Sequence, residues 1–199
     1  MISIIVSTYN REQYIIQCLE SIAKQNRSVK DWELVIVNNN CTDSTGRLIQ
    51  EFLSLYQDKI NVSYHIEKSQ GLSYARNRGI KESQGDFLVF VDDDAFLDEN
   101  YIEGLYGYLS KYNDKFIAFG GRIKPYLESE LPSWMSPYLM PLMSVIDWGD
   151  EVKEFKQNKY PIGANMGFSK ALIEEVGDFN VNLGRVGKNT MGGDRKSHV

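Results

Sequence analysis

The sequence predicts an α/β domain, with a mostly parallel sheet flanked by helices and a small additional region toward the C-terminus. Three observations carry this. Short, almost wholly apolar runs alternate with segments of helical periodicity. The runs are apolar on both faces, as in a sheet covered on each side. Each run ends in a polar cluster ("STYNR", "NNNCTD", "EKSQG", "DDDA"), and parallel α/β sheets bind ligands at that carboxyl edge.

The elements follow in order. "ISIIVS" (Ile2 to Ser7) is short, β-branched and bounded by a turn, which predicts a buried strand. Tyr14, Ile15, Cys18, Leu19 and Ile22 recur at helical spacing. "WELVIV" (Trp32 to Val37) is a second buried strand, stopped by "NNNCTDST". Ser44 or Asp43 can cap the next helix, which carries Leu48, Ile49, Phe52 and Leu55. "NVSYHIE" predicts a third strand, "GLSYARNRGIKES" a helix, "DFLVFV" a fourth strand and "ENYIEGLYGYLSKY" an amphipathic helix. "FIAFGGRI" reads as a further strand. Pro125 to Trp148 holds four prolines and is irregular. "YPIGANMGFSKALIEEVGDFN" restores order, with a glycine-punctuated turn or strand and a short helix over Lys170 to Val176.

Bulk properties exclude several classes. At 199 residues, 42% hydrophobic and 25% charged, the chain suits one domain with a sizeable core. A net charge of −5 argues against nucleic-acid binding. Two separated cysteines, Cys18 and Cys41, and two isolated histidines, His65 and His198, indicate neither a zinc site nor a disulfide framework. No segment resembles a signal peptide or a membrane span. The expectation is a cytoplasmic protein, with contact at the inner face of a membrane as a further option.

The acidic triplet Asp92, Asp93, Asp94 ends an apolar strand. In extended chain, Asp92 and Asp94 point one way and Asp93 the other. Two carboxylates about 5 Å apart repel by roughly 3 kcal/mol at an effective dielectric of 20. A hard divalent cation reverses that sign and takes substrate phosphates as further ligands. The competing reading is a set of acids capping the next helix, a task that Asp98 can perform without them.

In order and spacing, "IIVSTYNRE", "ELVIVNNNCTDST", "GLSYARNRGI", "GDFLVFVDDD" and "GANMGFSKALIEEVGDFN" resemble family 2 glycosyltransferases, from Ile2 to about Asp194. The resemblance implies the GT-A fold, which is Rossmann-like. It also implies inverting, metal-dependent transfer of a sugar from a nucleotide diphosphate, with Mn²⁺ or Mg²⁺. Residues 1–124 would form the nucleotide-sugar-binding half and 125–199 the acceptor-side half of one domain.

The resemblance further implies roles. Ser7, Thr8, Tyr9 and Asn10 hold the base, although "TYN" is equally an ordinary turn with Asn10 as a cap. Asn39 stands where the family carries an acid that accepts the base N–H. Uracil is the favoured base ahead of guanine or thymine. Gly71 allows close approach, and Arg76 lies near the diphosphate or base, with Asn77 holding that loop; the competing reading of Arg76 is a surface ion pair. Asp94 is the direct metal ligand. Asp92 contacts the ribose or the metal through water, and Asp93 supports the donor sugar. Asn165, in "GANMGF", is the polar contact beneath donor and acceptor, or part of a plain structural turn. Trp134, Met135, Met140, Met143 and Trp148 form an apolar lip for a saccharide or lipid-linked acceptor, or a loop folded over a core. Asp194 fits the first acid of a late acidic pair, but Arg195 occupies the second position, where the family usually places its general base. The expectation is a chain truncated relative to a full transferase, with Asp194 as the only base on offer. Assembly of a surface polysaccharide or glycan is the implied work. The alternatives are a chain that binds nucleotide sugar without turnover and, less favoured, a sugar-phosphate nucleotidyltransferase. The latter would need a glycine-rich phosphate loop that "STYNREQ" lacks.

Overall fold

A computed structural model describes residues 1–111, 117–127, 130, 132, 134–136, 138–139, 144–156 and 160–183. Four strands, β1 (Ile2–Thr8), β2 (Trp32–Asn38), β3 (Val62–Ile66) and β4 (Phe87–Asp92), are parallel. They alternate with helices α1 (Ile15–Ala23), α2 (Thr45–Tyr56) and α3 (Leu72–Glu82), and α4 (Tyr101–Leu109) follows β4. Two short strands, β5 (Ala118–Gly120) and β6 (Met166–Ser169), complete the sheet in the order β3-β2-β1-β4-β6-β5. Helix α5 (Lys170–Val176) follows β6 directly, its first turn capped by the Ser169 hydroxyl.

β6 runs antiparallel to both β4 and β5. The late part of the chain thus extends the sheet built by the early part. The strand expected over "FIAFGGRI" reduces to three residues plus an isolated bridge between Ile123 and Ile146. Its edge position, with a partner on one side only, limits its length. Asp43 rather than Ser44 supplies the side-chain cap of α2, its Oδ1 accepting from the Thr45 N–H at 3.0 Å.

Strand alternation sends Ile2, Ile4, Val6, Leu34, Ile36, Val89 and Val91 into a core shared with α1, α2 and α4. Ile5, Val35, Val37, Leu88 and Phe90 face the opposite layer, with Ala75 and Ile80 of α3 and Ile173 of α5. Cys18 belongs to the first layer and is a free thiol. Among the described residues no helix is long and apolar enough to cross a membrane.

The chain order makes β1 the pivot. From β1 it steps to β2 and β3 on one side, then returns to β4 on the other. The register pairs Ser7 with Val37 and with Asp92. The loops after β1, β2 and β4 therefore open on one edge, at the point where strand order reverses.

α3 lies close against this pivot because Gly79 has no side chain. A Cβ there would fall 2.3 Å from Cγ2 of Ile5. Gly79→Ala should gain about 1 kcal/mol of helix propensity and lose more to overpacking, which typically costs about 1–3 kcal/mol. Urea unfolding should show net destabilisation, and a more stable variant would contradict this packing.

Candidate nucleotide and metal site

The floor of the edge consists of two loops laced together. Asn10 and Asn40 adopt left-handed backbone, with φ of 52° and 62°, a conformation asparagine tolerates better than most residues. Asn10 Oδ1 accepts from the Thr42 N–H at 2.8 Å, and its amide nitrogen donates to Thr42 Oγ1 at 3.2 Å. Arg11 N donates to Thr45 Oγ1 at 2.8 Å, and Ser44 N donates to Glu12 Oε2 at 2.9 Å. The Asn10 side chain is thus spent on tying the loops. Tyr9, 42% exposed, presents its ring to solvent at the same edge. The Ser7 hydroxyl is buried without a hydrogen-bond partner among the described residues.

Asn39, expected at the base, turns its side chain inward. It is 3% exposed. Its Oδ1 accepts from the Gly71 N–H at 2.8 Å and from Gln70 Nε2 at 3.4 Å. Its amide nitrogen donates to the carbonyls of Glu67 at 3.1 Å and Ser69 at 2.7 Å. Both ends of the amide clamp the β3–α3 loop. The environment also explains the residue type. A carboxylate would meet two carbonyl oxygens with no hydrogen to give. Gly71, at φ 141°, begins α3 from this clamp.

The triplet divides between surface and interior. Asp92 and Asp94 line a cleft of about 2660 Å³, and Asp93 is 8% exposed. The strand ends at Asp92, and Asp93 and Asp94 lie in the following turn. Burial pushes the Asp93 carboxyl up to about 6, opposed by the Thr8 hydroxyl and Arg11 and reinforced by its two acidic neighbours. The Thr8 hydroxyl lies beside Asp93 but falls short of hydrogen-bond geometry. Asp93 therefore sits below the cleft surface. Beneath the turn, burial and the three acids drive the Cys18 thiol upward, which keeps it protonated and unreactive.

Arg76 is also interior, at 5% exposure. Its Nη2 lies 3.6 Å from Asp92 Oδ1. Its guanidinium packs over the rings of Phe90 and Phe179, at 5.9 Å and 5.4 Å from their centroids. Arg76 thus lies against Asp92. Phe179 is held by Asn77, whose amide donates to its carbonyl and accepts from its N–H, both at 2.9 Å. Ser73 Oγ donates to the Leu183 carbonyl at 2.7 Å. A Cβ on Gly163 would fall 2.7 Å from Arg76 Nη2, so the "GAN" turn passes directly over this guanidinium.

On the acceptor side Asn165 is 7% exposed. Its Oδ1 accepts from the buried Tyr101 hydroxyl at 2.6 Å, and its amide nitrogen donates to the Arg122 carbonyl at 3.4 Å. It fastens the turn Gly163–Asn165 to α4 and to the strand β5 exit, and it lines the cleft that Asp92 and Asp94 also line. Trp134 is 69% exposed and lies outside the cleft lining. Trp148 and Met135 are in the lining, with Trp148 edge-on to Phe155 at 5.2 Å. Met140, Met143 and Asp194 lie outside the described residues.

Among the described residues no three acidic, histidine or cysteine side chains converge as a metal cage. Two carboxylates, Asp92 and Asp94, do open on one cleft. That set fits Mg²⁺ or Mn²⁺ bound through one or two carboxylates, with substrate phosphates and water completing the shell.

Comparison with known proteins decides the family. The sequence profile of glycosyl transferase family 2 matches residues 3–177. The chain belongs to glycosyl transferase family 2. GlyA, a glycosyltransferase of Streptococcus pneumoniae serotype 4, is 36% identical over 56% of this chain and 15% of its own length. TarS of Staphylococcus aureus superposes with a TM-score of 0.72 at 21% identity, over 92% of this chain and 51% of that one. Its complex with UDP-GlcNAc gives 0.57 at 27% identity, over 66% of this chain and 37% of that one. The mannosyltransferase PcManGT of Pyrobaculum calidifontis, solved with GDP-Man and Mn²⁺, gives 0.67 at 19% identity, over 92% of this chain and 48% of that one. These likenesses establish the GT-A fold. The chain spans about half or less of the length of each of these proteins.

For this family 2 domain, sequence reasoning placed the edge and the triplet but missed Phe179 and Ser73. "GDFN" was part of the recognised pattern, yet its contact with α3 spans 102 positions of sequence. The Asn39 clamp yields a test. Asn39→Asp should cost about 1–3 kcal/mol, the usual penalty for leaving buried polar groups unpaired, read as a lower urea midpoint. Unchanged stability would show that the amide is not needed for the loop.

Proposed function

We propose that this chain is the donor-binding, catalytic domain of an inverting, metal-dependent glycosyltransferase that uses a nucleotide diphosphate sugar, UDP-linked in preference to GDP-linked. The carrying observation is the pair Asp92 and Asp94, opening on one large cleft at the reversal point of the sheet. Family membership supports the reaction class, and the TarS complex with UDP-GlcNAc, at 27% identity, supports the uridine nucleotide. The same membership removes support from nucleotidyl transfer.

In this reading Tyr9 packs on the base and the laced loops hold its backbone partners in place. Asp92, braced by Arg76, and Asp94 face the donor's ribose and diphosphate. Bound Mn²⁺ or Mg²⁺ would offset charge on the diphosphate leaving group. An acceptor hydroxyl attacks the anomeric carbon from the face opposite the diphosphate. The new C–O bond forms as the bond to the phosphate oxygen breaks, which inverts the centre. The acceptor proton passes to a carboxylate, and Asp194 is the assignment the family pattern offers. The acceptor is a saccharide or lipid-linked sugar of a surface polymer or glycan, met at the aromatic side of the cleft. Arg195 beside Asp194 favours a second reading, in which the chain binds donor and transfers little.

Asp94→Asn should abolish the metal-dependent part of UDP binding and leave thermal unfolding nearly unchanged. Calorimetry with UDP and GDP, with and without Mn²⁺, measures this. Retained metal-dependent binding in the variant would remove Asp94 as a ligand. Slow Mn²⁺-dependent release of sugar from the donor would separate a competent enzyme from a binding module.

A further inference from the structure

Arg11 occupies an unusual place among the arginines. Its Nε lies 3.4 Å from Asp93 Oδ1 and its Nη2 3.7 Å from Asp94 Oδ2. One guanidinium thus bridges two of the three acids, at separations longer than the 2.7–2.9 Å or so of a charge-assisted hydrogen bond. By contrast Arg27, Arg78 and Arg122 each make a carboxylate contact at 2.8 Å or less, and Arg76, at 3.6 Å from Asp92, is buried. The main chain of Arg11 is pinned by Thr45, and Asn10 before it is tied to Thr42. Its side chain is 44% exposed and lines the same cleft as Asp92 and Asp94. A fixed base, a loose ionic hold and access to the cleft are the properties of a head group that can move.

We propose that Arg11 is the resident cation of the carboxylate site. It neutralises Asp93 and Asp94 in the donor-free protein and swings to the donor's diphosphate when a divalent cation takes Asp94. This rests on the metal reading above and adds a role for Arg11. A cation on Asp94 and a guanidinium beside it repel, so metal entry must displace Arg11. The diphosphate offers it a new anionic partner with matching fork geometry. Metal and donor therefore favour each other's binding through this side chain, beyond any direct bridge between them. Such coupling is reciprocal.

Mn²⁺ binding to the full chain, read by electron paramagnetic resonance without and with UDP, tests the exchange. Arg11→Gln should bind Mn²⁺ on the order of tenfold more tightly without UDP, within the usual range of site coupling. UDP should then raise its Mn²⁺ affinity by a smaller factor than in the parent protein. Arg11→Lys, which keeps the charge, should restore weak metal binding and so exclude a folding artefact. Equal or weaker Mn²⁺ binding by Arg11→Gln, in a protein whose Mn²⁺ site is lost in Asp94→Asn, would overturn the role of Arg11 and leave the metal reading intact. Mn²⁺ binding indifferent to Asp94→Asn would overturn both.

Discussion

The structure depends on the position of β1 between β2 and β4, all three running in the same direction. That arrangement brings Ser7, Val37 and Asp92 level across the sheet, so every loop with chemistry leaves from one edge. It is stabilised by burial of both faces of β1, whose Ile2, Ile4 and Val6 serve one layer and Ile5 the other. A slip of one residue in β1 would exchange these sets and uncouple Ser7 from its register with Val37 and Asp92. The triplet itself destabilises the strand end through like-charge repulsion. Arg11 and Arg76 offset that from the two sides.

A second theme is that polar side chains near the edge serve the scaffold more than they serve the cleft. Asn10, Asn39, Asn77 and Asn165 each use both ends of the amide to join segments distant in sequence. A single internal hydrogen bond is worth only about 0.5–1.5 kcal/mol net, but an unpaired buried amide costs more. At the buried Asn39 and Asn165 the clamps therefore act by making alternatives costly. They hold loops that would otherwise lose little by moving, beside Asp92, Asp94 and Arg11 in the cleft lining and the exposed Tyr9 at the edge.

How much of this was legible in the sequence follows from the same physics. β1, β2 and β4 are buried on both faces, so they read as continuous apolar runs. α5 was legible from its bounds, with Ser169 before it and Gly177 after it. A strand over "FIAFGGRI" was legible too, but the antiparallel pairing of β5 and β6 was not, since three- and four-residue strands carry too little pattern and their pairing is non-local. At the site, the triplet was legible because charge at the end of an apolar strand is costly without a purpose. The inward turn of Asn39 and Asn165 was not. An amide carries donor and acceptor together, and nothing in its residue type says whether they meet a ligand or the protein. The bracing of Arg76 by Phe179 was hidden by sequence distance.

The central claim is that the β4 edge holds a divalent cation between this chain's carboxylates and a donor diphosphate. The most direct measurement is a crystal structure of the chain with UDP and Mn²⁺, using anomalous scattering to locate the metal. The account predicts one strong peak within coordination distance of Asp94 and the diphosphate, with the guanidinium of Arg11 turned from Asp94 onto phosphate oxygens. A metal peak elsewhere would contradict the claim, whereas a metal on Asp94 with Arg11 still resting on Asp93 and Asp94 would contradict only the role given to Arg11.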